Sequence, residues 1–107
     1  SVFLNYLFYC FPMPEIQFQI QWPDGSQERC YSPSLVVKDY FTPEQEYDLN
    51  DFVERSRTAL KIASDRVQAK YGFPCSRALG QLAKIEIQAA KYAELDQPTV
   101  RLIQFIE

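Results

Sequence analysis

Histidine is absent from this 107-residue sequence. That removes the side chain that most often serves as a general base or binds a metal near neutral pH. Every Ser–His or Cys–His catalytic scheme within one chain goes with it. Cysteine is scarce: Cys10, Cys30 and Cys75 are widely spaced, and no C-x-x-C pair occurs. A zinc site, built from closely grouped ligands, is therefore not expected, and neither is a cofactor. The odd count, read with the lack of a secretion signal, points to reduced thiols and a cytoplasmic location. Positive charge is in deficit, since 11 Lys and Arg face 14 Asp and Glu for a net charge of −3. Non-specific nucleic-acid binding draws on counterion release from a basic surface, so no nucleic-acid partner is expected. Long apolar runs are missing as well. The opening stretch SVFLNYLFYCFP carries no charge, but its apolar run is too short for a membrane-spanning helix. It also lacks the basic start and small-residue cleavage site of a signal peptide. No membrane association is expected.

The chain contains 47% apolar and 23% charged residues, the balance of a globular domain rather than a disordered one. Its length suits a single domain with one modest core. Seven Tyr and eight Phe make it rich in aromatics; such a surplus serves either the core or an interface. Met13 is the sole methionine. The reading is that the domain starts there, over residues 13–107, and that residues 1–12 are an upstream segment foreign to it. The alternative is that they form an extra, aromatic-rich strand.

Residues 15–22, EIQFQIQW, alternate strictly, with Ile16, Phe18, Ile20 and Trp22 on one face and Gln17, Gln19 and Gln21 on the other. This is a half-buried strand. Pro23-Asp24-Gly25-Ser26 turns the chain back into QERCYS, residues 27–32, as a hairpin. Two prolines interrupt residues 32–48, which read as an ordered connection carrying Tyr40 and Phe41 into the core. A long helix then starts at the Asp48 cap and stops at Gly72-Phe73-Pro74. A second helix runs from about Cys75 to Tyr92, with Ala78, Leu79, Leu82, Ala83, Ile85, Ala89 and Ala90 as its apolar side. Gly80 inside it suggests close packing against a neighbour. Residues 99–106, TVRLIQFI, form the last strand.

The order is ββααβ, an α+β fold in which a small antiparallel sheet carries two helices on one face. Alternation along the last strand puts Val100, Leu102 and Ile106 on one side and Ile103 and Phe105 on the other. Two helices cover only one face, so Ile103 and Phe105 are candidate interface residues of a homodimer.

The candidate chemistry lies at "FPCSR". A thiol at a helix N-terminus is held toward its reactive form, so Cys75 is the candidate nucleophile, with Ser76 and Arg77 completing a small anion site. The competing reading is a tight corner with Cys75 as a small apolar residue. Ser32 and Ser34 of "YSPS" offer hydroxyls for an anion or, alternatively, for a turn or cap. Arg55 and Arg57 read as a solvated helix face.

The stretches "RCYSPSLVVKDYF", "DFVERSRTALKIASDRVQAKYG" and "FPCSRALGQL" resemble the small bacterial nitrogen starvation response family over essentially residues 13–107. The resemblance implies a protein encoded in a nitrilase-containing gene cluster, with no assigned reaction and no established catalytic residues to carry over. Taken together, the reading is a non-enzymatic accessory or regulatory protein acting by contact with proteins of that cluster. The alternative is a small enzyme or carrier that uses the Cys75 thiol.

Overall fold

The computed structural model describes residues 14–107; the readings of residues 1–12 and of the start at Met13 lie outside them. The alternating run folds as β1 (Ile16–Gln21) and returns as β2 (Gln27–Ser32). The two pair antiparallel, with Phe18 opposite Cys30. Gly25 takes φ +90° in the turn, a conformation that only glycine adopts without strain. The Asp24 carboxylate accepts hydrogen bonds from the Ser26 hydroxyl at 2.6 Å and its backbone N–H at 2.9 Å. These bonds hold the Asp24 carboxyl below its ordinary pKa.

The connection after β2 holds two elements that the sequence reading missed. Leu35–Asp39 form a 3₁₀ helix whose Val36 and Val37 are buried. It stays short between Pro33 and Pro43. Glu46–Asp48 form a three-residue strand, β3. It pairs antiparallel with the last strand, β4 (Thr99–Ile106), with Tyr47 opposite Val100. The sheet is therefore four-stranded, in the order β2-β1-β4-β3. Three residues give no usable alternation, which is why β3 is silent in the sequence. Tyr40 and Phe41 follow the 3₁₀ helix; Phe41 is buried as expected, and Tyr40 packs against the core from its edge.

Helix α1 (Leu49–Tyr71) follows β3 directly. The Asp48 side chain accepts from the Asn50 N–H at 3.1 Å, and Gly72 ends the helix at φ +87°. Helix α2 spans Ser76–Ala90. Ser64 meets Cys75 and Arg57 meets Glu86, so the helices run antiparallel. Phe52, Leu60, Ile85 and Ala89 close one core with Ile16, Phe18, Ile20, Val100 and Leu102 of the sheet. The architecture is α+β, with the helices on one face.

Much of the aromatic surplus fills this core. Phe41 stacks on Phe18 at 5.9 Å and meets Phe52 at 5.4 Å. Trp22 stacks on Tyr92 and meets Phe52 edge-on, both at 5.7 Å. Ring pairs in these arrangements add about 0.5–1.5 kcal/mol each beyond the area they bury.

The last strand corrects the face assignment. Gln19 lies opposite Gln104 but Ile20 lies opposite Leu102, so Ile103 is an extra residue at a β-bulge. A bulge reverses the alternation beyond it. Phe105 consequently falls opposite Phe18 and packs on the core, on the same side as Val100 and Leu102. Ile106 falls opposite Gln17, on the other face. The bulge thus moves Phe105 to the core side and leaves Ile106 on the opposite face. The helix-free face carries a row of glutamines. Gln104 Nε2 donates to Gln19 Oε1 and Gln19 Nε2 to Gln27 Oε1, both at 2.8 Å, in an amide ladder across three strands.

Candidate functional site

The corner Gly72-Phe73-Pro74-Cys75 joins the helices. Gly72 supplies the left-handed turn, and Pro74 cannot continue a helix. Cys75 occupies the N-cap position of α2, is fully buried, and makes no side-chain cap bond. Its backbone N–H donates to Ser64 Oγ at 3.2 Å. Its sulfur is disulfide-bonded in the structure, which corrects the expectation of reduced thiols at this position. Cys30 is the free cysteine among the described residues; burial raises its thiol pKa, which suppresses the reactive thiolate.

Ser76 is exposed at the start of α2. Arg77 turns away from the helix axis toward β2, with its guanidinium 3.9 Å from the Tyr31 ring centroid. That is the geometry of a cation–π contact. The same guanidinium stands 3.9 Å from the Glu15 carboxylate. Tyr31 is buried beneath it, and burial pushes its phenol pKa up to about 12, against the opposing pull of Arg77. Glu15, Tyr31, Arg77, Ile106 and Glu107 line an open cleft of about 260 Å³.

Ser32 and Ser34 serve the backbone. Ser32 Oγ donates to the Ser34 carbonyl at 2.7 Å. Ser34 Oγ caps the 3₁₀ helix by accepting from the Val36 N–H, and accepts again from Arg66 at 3.1 Å. The serines thus tie β2 to α1, while Arg77 attends to Tyr31 and Glu15.

The arginines of "ERSR" are structural ties as well as surface. Arg55 donates to the Tyr40 carbonyl at 2.9 Å and to Asp51 at 3.0 Å. Arg57 bridges the helices, donating to Glu86 at 2.8 Å while also pairing with Glu54. Among the described residues, no group of three or more Asp, Glu or Cys is placed to hold a metal ion.

The feature that the sequence reading missed is on the solvent side of the helices. Ile87 is 67% exposed and Leu79 43%. Ala83 lies between them along the helix at i,i+4 spacing and is exposed too. Gly80, expected to pack closely on a neighbour, has nothing within 4 Å of where a Cβ would sit. A helix-interior glycine costs about 1 kcal/mol relative to alanine, and no contact within the described residues accounts for it. Beside this ridge runs a groove of about 270 Å³ between the helices, whose lining mixes apolar Leu49, Val53 and Ala90 with Asn50, Glu54 and Arg57. A signal was available in the sequence: α2 has more apolar positions than one buried stripe accommodates.

Fold and surface together define a small α+β domain in which Ser32, Ser34 and Ser64 bond to the backbone and an apolar ridge on α2 is exposed. The model of the nitrogen starvation-induced protein NitG family matches residues 17–105. The chain belongs to that family, in agreement with the resemblance drawn from its sequence. No curated protein and no solved structure matches it. No helix among the described residues is long and apolar enough to cross a membrane.

Proposed function

We propose that this protein is a non-enzymatic accessory or regulatory component of the response to nitrogen limitation, acting by protein contact. One observation carries the reading: a contiguous ridge of Leu79, Ala83 and Ile87 stands in solvent on α2. A large apolar side chain left in water forgoes roughly 1.5–3 kcal/mol of burial, and contiguous exposed apolar surface marks interaction sites. The lack of histidine and the structural employment of Ser32, Ser34, Ser64 and Arg57 are consistent with a role without chemistry. Proteins of the nitrilase gene cluster are among the partners proposed.

The test is a photo-crosslinking residue placed at Ile87, and at Gln19 on the polar sheet face, in cells starved of nitrogen. The expected result is a discrete protein adduct from position 87 and none from position 19. Absence of any adduct at 87 defeats the reading.

A further inference from the structure

We infer that the outer edge of β2 takes up an extended acidic segment of a partner protein as an added strand. This surface is separate from the α2 ridge, and its test does not depend on that ridge.

The edge is open in backbone terms. β2 is the longer of the two edge strands of the sheet. The Tyr31 N–H points away from β1, since it donates to Gln81 Oε1 at 3.0 Å. Inward and outward backbone groups alternate along an antiparallel strand. The N–H and C=O groups of Gln27 and Arg29 therefore point outward as well. Both residues are exposed, and no hydrogen bond among the described residues occupies these groups. Strand addition uses a row of this kind.

Gln81 marks where the added strand ends. Its Oε1 takes the Tyr31 N–H as the carbonyl of a neighbouring strand would. Its Nε2 is buried with no hydrogen-bond partner among the described residues. A buried donor without an acceptor is unfavourable, and a carbonyl of an incoming strand at this end relieves it.

Charge names the occupant. α2 runs alongside β2 in the opposite direction: Gln81 meets Tyr31, and Tyr92, just beyond the helix, stacks on Trp22 at the hairpin end. Burial dominates the Cys30 thiol, and the Lys84 charge pulls against it, which places Lys84 beside β2. Lys91 follows about two turns later on the same flank. Arg29 lies opposite Gln19, so its side chain stands on the helix-free side of the edge. The edge is thus flanked by cations on both faces. Arg29, Lys84 and Lys91 are all exposed, and none is in an ion pair among the described residues. The nearby carboxylates are engaged elsewhere: Glu28 accepts from Trp22 Nε1 at 3.0 Å, and Glu86 pairs with Arg57. Side chains of a strand alternate between its faces, so successive acidic residues of an added strand meet Arg29 on one side and the two lysines on the other. The same cations oppose pairing with a second β2 edge, which separates a foreign acidic strand from another copy of this chain.

The probe is a fluorescent glutamate-rich peptide interspersed with threonine, titrated into the full chain at low salt. Anisotropy should show saturable binding, and amide hydrogen exchange of Gln27 and Arg29 should slow in the complex. Arg29→Glu and Lys84→Glu should each weaken binding about tenfold, with circular dichroism unchanged. Lys61→Glu, exposed on α1, should leave binding as it was. Backbone N-methylation of the peptide at alternate residues should abolish binding, because strand addition needs the peptide N–H groups. Lack of saturable binding, binding that survives N-methylation, or binding without protection at Gln27 and Arg29 overturns the inference.

Discussion

Two buried serines on α1 should respond to the same substitution in opposite directions. Ser56 is fully buried, and its hydroxyl has no hydrogen-bond partner among the described residues. Ser64 is buried to the same degree, but its Oγ accepts from the Cys75 N–H at 3.2 Å. Burying an unsatisfied hydroxyl costs about 1–3 kcal/mol. Ser56→Ala removes that cost and gains a few tenths of a kcal/mol of helix propensity. Against this stands the void left by one oxygen, roughly 10–15 Å³, worth about 0.3 kcal/mol at 24 cal/mol per Å³. The net expectation is stabilisation by about 1–2 kcal/mol. At 4–8 °C per kcal/mol for a domain of this size, Tm should rise by about 5–15 °C. Ser64→Ala strands a buried N–H at the corner between the helices and should cost about 1–3 kcal/mol. Thermal and urea unfolding followed by circular dichroism measure both, with an unchanged m-value confirming that the denatured state is comparable. A loss of stability in Ser56→Ala would refute the reasoning, because it would mean that the hydroxyl has found a partner such as a carbonyl one turn back.

The register of β4 and the titration of Tyr31 supply two more predictions. Phe105→Ala should cost about 2 kcal/mol, as befits a partly buried ring on the core side, while Gln104→Ala should fall within about 0.5 kcal/mol; equal effects in urea melts would argue against the bulge at Ile103. The Tyr31 phenol ordinarily titrates near 10 and is held at about 12 in the fold, so the folded state retains a proton that the unfolded chain releases. Its stabilising contribution is present below pH 10 and lost as pH rises toward 12, and Tyr31→Phe should flatten that decline in alkaline melts; an identical decline in the variant would assign the pH dependence elsewhere.

Much of the fold was legible in order of appearance. The period-two run of β1 and the turn residues Pro23 to Ser26 specify a hairpin, because alternation and positive φ are local requirements. Asp48 and Gly72 mark the ends of α1 for the same reason: a cap hydrogen bond and a left-handed residue are satisfied within a few residues of chain. The family resemblance was carried by long uninterrupted stretches, and the family match confirmed it.

What stayed hidden depends on contacts distant in sequence. β3 exists because β4 offers an edge for Glu46–Asp48 to pair with, and three residues of chain cannot announce that. The face of Phe105 was decided by the bulge at Ile103, a property of how β4 aligns with β1 and not of β4 alone. Arg77 could have served an anion at the helix start, but the β2 edge brings the Tyr31 ring within 3.9 Å and gives the guanidinium a different task. The exposure of Ile87 and the emptiness before Gly80 were likewise invisible, since apolar residues on several sides of a helix do not say which side meets the sheet. Local sequence sets backbone conformation through sterics and capping, whereas which apolar face is buried and which is left for a partner is settled when the helices dock on the sheet.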